Sequence, residues 1–318
     1  MRQHRRGEQR TDLGVRHPLR VRVERHREPR HAQAEIPGGG GKKKGPVLHH
    51  PLSARSVRPR PAFRPTQVRI ALAFLAAVFL TPAYGGSCSA RSGARTTALV
   101  ELYTSEGCSS CPPADRWLSG LGSRYPMESL VPLALHVDYW DYIGWKDPYA
   151  KREFSQRQRR LSQLQRSALV YTPQVLLQGR DFAPWASSQF DGAVAAINGQ
   201  PARASLELEI VATSAQALRL RVRAAVADAA LARQAALYVA AYENRLESRV
   251  GAGENRGRVL RHDYVALEWR GPYGLGEREL GLPLLPKGKA DDSGVVAFVQ
   301  NRGTAEVLQA LALGACSP

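Results

Sequence analysis

The sequence contains little sulfur, with 4 cysteines and 2 methionines in 318 residues. So few cysteines exclude a small scaffold held together by many disulfides, and the second C-x-x-C unit that a zinc ribbon needs is missing. Two methionines provide no methionine-rich tract of the kind that handles copper. The apolar run at residues 70–80 is 11 residues long, whereas a helix needs about 20 apolar residues to span a bilayer. A permanent membrane span is therefore not expected.

Acidic side chains are also scarce, since 28 Asp and Glu stand against 45 Lys and Arg, a formal net charge of +17. Such an average suggests a nucleic-acid binder. The charge is uneven, however, because 17 of the basic but only 5 of the acidic side chains lie in residues 1–66. Without the first 85 residues, about +4 remains by the same count. We therefore expect no nucleic-acid partner.

Residues 1–67 are rich in Arg, His, Pro and Gly and show no lasting helix or strand period. Such a segment cannot bury enough apolar surface to offset the entropy of ordering it, which predicts a disordered basic extension. A nucleic-acid-binding arm is the alternative, but a basic run without interleaved aromatic residues is weak evidence of recognition. We favour a disordered tail, or upstream sequence translated from a start site assigned too early.

Residues 68–85 have the parts of a secretory signal peptide: Arg69, the apolar run and a small-x-small cleavage site. Signal peptides normally stand at the N-terminus, so we predict that translation begins near Val68 and that the mature protein is periplasmic or secreted. A lipid anchor on Cys88 is not favoured, because lipoprotein signals have Leu or a similar residue three places earlier, where this chain has Gly85.

Cys88 and Cys316 stand near the two ends of the mature chain. Chain termini often lie close together, and an oxidising compartment permits a disulfide between these residues. Two unpaired thiols are the alternative, and the sequence leaves the choice open.

Two kinds of periodicity divide the rest of the chain. From 97 to 200, strands alternate with helices, which predicts an α/β layer architecture. The expected strands are 98–103, 130–137 and 175–177, and the expected helices are 112–121, 149–167 and 190–197. The basic residues of the helix at 149–167 are expected to form a solvated face, and contact with an acidic partner is the alternative. They are Lys151, Arg152, Arg157, Arg159, Arg160 and Arg166. From 201 to 316, apolar and polar residues alternate in several short strands, which predicts a mainly antiparallel, sandwich-like β-rich domain.

The strongest chemical signal is a C-x-x-C motif, Cys108 to Cys111, between an expected strand and an expected helix. The first sulfur is expected to face solvent at the helix N-terminus, where unpaired N–H groups and the helix dipole stabilise a thiolate. Cys108 is therefore the predicted attacking thiol, and Cys111 is the predicted resolving thiol one turn later.

Five stretches of the sequence carry a family resemblance: 101–115, 136–148, 170–174, 253–258 and 260–262. They closely resemble a family of secreted bacterial proteins known as domain of unknown function 1223, whose members are thioredoxin-like. The resemblance covers most of 97–316 and none of 1–66. It implies a thioredoxin-like domain at 97–200 with a redox-capable dithiol, but no established substrate.

The resemblance adds candidates around the dithiol. In thioredoxin-like folds a cis-proline after Thr packs against the dithiol, which makes Pro173 a predicted site residue with Thr172 in support. In that architecture a buried acid can help proton transfer to the resolving thiol. Glu101 either helps this proton transfer or, by strand alternation, points away from the core.

An aromatic, acidic insertion at 136–147 departs from ordinary thioredoxins. Trp140 either belongs to a loop that covers the dithiol or, as we favour, packs the insertion onto the domain. His136 is expected to be a hydrogen-bonded core histidine rather than a ligand.

The leading hypothesis is a periplasmic or secreted thiol–disulfide oxidoreductase that uses Cys108 and Cys111, needs no diffusible cofactor, and acts on thiols or disulfides of proteins or small molecules. No phosphate loop or G-x-G-x-x-G supports nucleotide binding. One alternative is soft-metal handling, with Cys108, Cys111 and His136 holding Cu(I). Another is a structural disulfide beside a β-rich binding module. The sequence leaves the substrate, the direction of electron transfer and the oligomeric state open.

Overall fold

The computed structural model describes residues 88–167, 169–214, 217–283, 292–314 and 316. The predicted basic extension (1–67) and the predicted signal peptide (68–85) lie outside the described residues. In the described part of the chain, no helix is long and apolar enough to cross a membrane.

Fourteen strands and five helices make up the described fold. The strands are β1 (Cys88–Arg91), β2 (Ala98–Thr104), β3 (Leu130–His136), β4 (Gln174–Leu177), β5 (Arg180–Asp181), β6 (Ser205–Thr213), β7 (Ala217–Ala225), β8 (Ala235–Glu243), β9 (Leu246–Arg249), β10 (Val259–His262), β11 (Val265–Tyr273), β12 (Gly276–Pro283), β13 (Ser293–Asn301) and β14 (Val307–Gly314). The α-helices are α1 (Pro112–Leu121), α2 (Arg152–Leu164), α3 (Gln189–Asn198) and α4 (Ala229–Gln234), and a 3-10 helix spans Asp138–Ile143.

An eight-stranded mixed sheet, in the order β14-β13-β8-β11-β3-β2-β4-β5, organises the molecule. Strands β2 and β3 are parallel, with Thr104 opposite His136, and β4 is antiparallel to β2. Strand β11 connects β14-β13-β8 on one side of the sheet with β3-β2-β4-β5 on the other, because it pairs in parallel with β3 at Val265 and antiparallel with β8. The prediction of a mixed α/β fold with a β-rich part is confirmed. The sheet contains strands from both sides of residue 200, which the sequence did not predict. The periodicity of apolar residues shows that a strand exists but not which strand pairs with it.

A second sheet, in the order β1-β6-β7-β12, is antiparallel throughout. Strand β7 shows why it forms: Leu218, Leu220 and Val222 are buried, whereas the arginines between them are half-buried or exposed. These apolar residues share a core with Val239 and Val295 of the large sheet. The predicted alternation therefore produces a sandwich-like packing of the β-rich part.

Strands β8 and β13 are buried on both faces, which explains their nearly continuous apolar sequence. One face of β8 contributes to the core under the four-stranded sheet. The other face contributes to a second core, in which Tyr238 and Phe298 stack at 5.1 Å between ring centroids. Phe154 of α2 lies in the same core.

The predicted solvated basic face is present on α2, where Arg152, Arg159 and Arg160 are exposed. The exception is Arg157, which is buried. Its guanidinium donates to Glu101 at 2.6 and 3.1 Å and to Gln300 at 3.0 Å. It also lies 4.8 Å from the ring centroid of Trp269. A buried charge is tolerated when it is paired and hydrogen-bonded, and this pair attaches α2 to the sheet.

The two chain ends that the structure describes are joined by a disulfide between Cys88 of β1 and Cys316, just after β14. The sequence had left this pairing open. The bridge closes a loop with a sequence separation of 228 residues, so it restricts the unfolded chain strongly.

Candidate functional site

The dithiol turn, residues 105–111, connects the end of β2 to the start of α1, and Cys108 and Cys111 are joined by a disulfide. Cys108 N–H donates to Ser105 O, and Cys111 N–H donates to Cys108 O, both at 3.2 Å. Pro112 and Pro113 occupy the first helical turn, where missing N–H groups cost nothing. The local sequence therefore ends the strand, turns the chain and begins the helix as expected.

Burial of the dithiol differs from expectation. Cys108 was expected to face solvent, but the structure leaves only 1% of Cys108 and none of Cys111 exposed. Ser109 and Ser110 form the exposed part of the turn. The expectation was wrong because it considered only the position of Cys108 at the helix N-terminus, whereas two other segments of the chain pack over this turn.

The first covering segment is the aromatic insertion with its 3-10 helix. A Cβ on Gly107 would lie 3.0 Å from Trp140 Cβ and 3.3 Å from Ile143 Cδ1, so the glycine permits this close approach. Trp140 Nε1 also donates to Thr172 Oγ1 at 2.7 Å. Trp140 therefore lies between the dithiol turn and the Thr172–Pro173 segment, whose peptide bond is cis.

The second covering segment is the loop between β9 and β10, residues 250–258, here called the hairpin loop. Asn255 is fully buried, and its Nδ2 donates to Glu106 O at 2.8 Å and to Cys108 O at 2.9 Å. Glu254 is exposed, and its Oε2 accepts a hydrogen bond from Ser109 N–H at 2.9 Å. The hairpin loop therefore holds the backbone of the dithiol turn through two side chains.

The loop also packs on the insertion. Gly253 has φ +72°, and a Cβ there would lie 2.9 Å from Ile143 Cδ1. Sequence reasoning identified 253–258 as part of the family resemblance but assigned no role to Glu254 or Asn255. No local pattern shows that a polar loop residue will be buried against a motif about 147 positions earlier.

Buried acids and histidines lie beneath the turn. Asp147 Oδ2 accepts hydrogen bonds from His136 Nδ1 at 2.7 Å and from Glu106 N–H at 2.8 Å. His262 Nε2 lies 3.1 Å from Glu106 Oε1, and its Nδ1 lies 3.9 Å from Asp115 Oδ2. The two imidazole centroids are 4.9 Å apart. His136 was a predicted core histidine, whereas His262, in the resembling stretch 260–262, had no predicted role because its partner Glu106 is distant along the chain.

The pKa values in this network follow from burial and charge. Burial lowers the pKa of His136, but the attraction of Asp147 outweighs it, so the pKa is raised overall. Burial raises the pKa of Asp147, yet His136 and several hydrogen bonds lower it overall. Burial raises the pKa of Asp115, even though both histidines oppose the change. His136 is thus a hydrogen-bonded, ion-paired core histidine in this structure.

Glu101 has a partner elsewhere in the buried interior. It is fully buried in β2, and its two oxygens accept hydrogen bonds from Arg157. Strand alternation left open whether the side chain points inward, and the structure places it inward. Its carboxylate is engaged by the guanidinium, so the geometry gives no support to a role in proton transfer at the dithiol.

A metal ion was the alternative use of Cys108, Cys111 and His136. Within the ranges that the structure describes, no group of three or more His, Cys, Asp or Glu is arranged to hold a metal ion. The two sulfurs form a disulfide, and His136 Nδ1 is hydrogen-bonded to Asp147.

These features define the class: a mixed α/β protein with a disulfide-bonded C-x-x-C between a strand and a helix, covered by an aromatic insertion and a hairpin loop. The chain belongs to the family described as "Protein of unknown function (DUF1223)", whose sequence model matches residues 99–300. That range includes the dithiol, both histidines and the hairpin loop. No curated protein matches the chain.

Two solved structures are similar to this one. Protein AGR_C_4864 from Agrobacterium tumefaciens is 23% identical, with a TM-score of 0.53 over 70% of this chain and 96% of that chain. HBP35 of Porphyromonas gingivalis is 17% identical, with a TM-score of 0.51 over 70% of this chain and 76% of that chain. At these identities the likeness concerns the fold alone.

Proposed function

We propose that the protein is a periplasmic or secreted thiol–disulfide oxidoreductase with a thioredoxin-like unit, and that Cys108 and Cys111 are its redox couple. The observation that carries the proposal is the disulfide-bonded C-x-x-C in the turn between β2 and α1. The predicted site residues Thr172 and Pro173 support it, because Trp140 contacts both Thr172 and the dithiol turn. The predicted signal peptide supports the compartment, where dithiols act on exported proteins.

The chemistry follows from the order of the two sulfurs. In the reduced protein, the Cys108 thiolate attacks one sulfur of a substrate disulfide; a new S–S bond forms, the old one breaks, and the leaving thiolate takes a proton. The Cys111 thiolate, having given up its proton, then attacks Cys108 Sγ and releases the second substrate thiol. Two electrons pass from the dithiol to the substrate, and the reverse sequence oxidises a substrate dithiol.

Burial of Cys108 sets a condition on this reaction. A substrate sulfur has to reach an atom that the insertion and the hairpin loop cover, so part of this cover has to move during exchange. The exposed Ser109 and Ser110 mark the side from which the sulfur is reached.

A rate measurement tests the proposal. The variant Cys108→Ser is expected to lose all reduction or oxidation of a model disulfide, such as that of insulin, while its circular dichroism stays native. The matched control is the double variant Cys88→Ser/Cys316→Ser, which keeps the dithiol and is expected to keep exchange. Exchange at the wild-type rate in Cys108→Ser, or an inert disulfide in the folded wild type, contradicts the proposal.

A further inference from the structure

Two polar groups near Cys108, one on the hairpin loop and one in the dithiol turn itself, have opposite effects on its sulfur. The carboxylate of Glu254 accepts a hydrogen bond from the N–H of Ser109, the residue after Cys108, at 2.9 Å. The hydroxyl of Ser110 lies 3.3 Å from Cys108 Sγ. In the disulfide form that sulfur carries no proton, so the hydroxyl is the donor.

The charge of Glu254 bears on the thiolate that reduction produces. A thiolate at a helix N-terminus is stabilised by backbone N–H groups and the positive end of the dipole. Here the first helical turn begins with Pro112 and Pro113, which have no N–H to offer. The N–H of Ser109 is occupied by this carboxylate, and hydrogen bonds from the side chain and the N–H of Ser109 lower the pKa of Glu254, which favours its ionised form. Negative charge beside the turn disfavours a second negative charge on sulfur.

The hydroxyl of Ser110 acts on the same atom in the other direction. A hydroxyl that donates to a thiolate lowers its free energy, because a hydrogen bond to an ionised acceptor is stronger than one to a neutral acceptor. It stabilises the reduced form more than the disulfide, which is the usual basis of an oxidising couple.

We infer that Glu254 is a positioning residue that makes the Cys108–Cys111 couple a stronger reductant, and that the hydroxyl of Ser110 opposes it. This inference rests on the proposed redox function and gives its direction, donation of electrons to the disulfides of partner molecules. The residue that lowers the reduction potential of the dithiol therefore lies on the hairpin loop, in the β-rich part of the chain.

Other charged groups near the turn remain the same in every variant used below. Glu106 belongs to the turn itself, Asp147 contacts it from the insertion and pairs with His136, Asp115 lies on α1, and His262 lies on β10. All five are buried, whereas Glu254 is exposed. Arg258 of the hairpin loop donates to Asn255 Oδ1 at 3.0 Å and is also unchanged. Glu254 can therefore be changed without opening the network.

The experiment measures the equilibrium constant for reduction of the Cys108–Cys111 disulfide by glutathione in Glu254→Gln and Ser110→Ala. The glutamine keeps an oxygen that accepts from Ser109 N–H but removes the charge. We expect Glu254→Gln to be reduced about threefold more readily, or about 14 mV less negative, and Ser110→Ala to shift by a similar factor in the opposite direction. Glu247→Gln is the control, because Glu247 lies on the same hairpin and pairs with Arg261 at 3.2 Å.

Salt separates charge from packing. The shift in Glu254→Gln is expected to shrink as ionic strength rises to about 1 M, where the screening length is about 3 Å, whereas the shift in Ser110→Ala persists. The pH midpoint of Cys108 alkylation is expected to fall in Glu254→Gln and to rise in Ser110→Ala. Equal potentials in Glu254→Gln and Glu247→Gln, or shifts of the same sign in Glu254→Gln and Ser110→Ala, overturn the inference. A wild-type couple that does not equilibrate with any thiol overturns the proposed function instead.

Discussion

The side chain of Asn255 makes two buried hydrogen bonds that hold the hairpin loop against the dithiol turn. In Asn255→Ala the carbonyl of Glu106 loses a buried donor, whereas the carbonyl of Cys108 keeps the N–H of Cys111. A buried carbonyl without a partner costs about 1–3 kcal/mol, and the second lost hydrogen bond adds about 1 kcal/mol. We expect a loss of about 2–4 kcal/mol in unfolding free energy, which a domain stable by about 5–15 kcal/mol survives.

The functional effect follows from the same links. Without them the hairpin loop opens more readily, and each 1.4 kcal/mol gained in the open state is about tenfold in its population. After reduction, Cys108 in Asn255→Ala is expected to react with iodoacetamide at least about tenfold faster than in the wild type. Urea unfolding gives the stability, and mass spectrometry of the Cys108 peptide gives the alkylation rate.

Asn301→Ala is the matched control. Asn301 is also buried, accepts hydrogen bonds from Gly303 and Thr304 N–H at 2.8 and 3.1 Å, and donates to Gln234 at 3.2 Å. It should destabilise the protein by a similar amount without increasing alkylation of Cys108. Equal alkylation rates in the two variants would refute the reasoning, because the rate would then follow global stability and not the hairpin loop.

Three further predictions concern hydrogen-bonded pairs of side chains. Arg157→Met leaves the Glu101 carboxylate buried without its partner and should cost about 3–5 kcal/mol in urea unfolding, whereas replacing both with Met should cost less; an equal loss in both variants contradicts this. Because the pKa of His136 is raised, its ion pair stabilises the fold fully below pH about 6.5, and this stabilisation is lost as pH rises through the raised pKa. Because the pKa of Asp147 is lowered, its contribution to stability is lost as pH falls through that lowered pKa. The stability difference between wild type and His136→Gln should therefore be larger at pH 6 than at high pH, and a difference independent of pH contradicts the pairing. Trp140→Phe removes the hydrogen bond to the threonine before the cis-proline and should cost about 1 kcal/mol in urea unfolding; an unchanged midpoint contradicts it.

Local signals in the sequence were enough to predict the elements that carry the dithiol. The strand that ends at Thr104 and the helix that begins at Pro112 follow from an apolar run, a glycine and two prolines, all within a few residues. The charged helix at 149–167 was also correct in position, although α2 is shorter, from Arg152 to Leu164.

Features that depend on distant partners were not predicted. Arg157 is buried because Glu101, Gln300 and three aromatic rings surround it, and none of these neighbours is near it in sequence. Burial of Cys108 and the role of Asn255 likewise depend on a loop that follows β9. Periodicity describes one element at a time, so it cannot give such contacts.

The most direct test of the central claim is to trap each sulfur in turn. Cys111→Ser and Cys108→Ser are each reduced, mixed with a model disulfide and analysed by intact-mass spectrometry. The account predicts that Cys111→Ser accumulates a mixed disulfide at Cys108, because the resolving thiol is gone, and that Cys108→Ser does not. Accumulation in Cys108→Ser alone, or in neither variant, would contradict a redox role in which Cys108 attacks and Cys111 resolves.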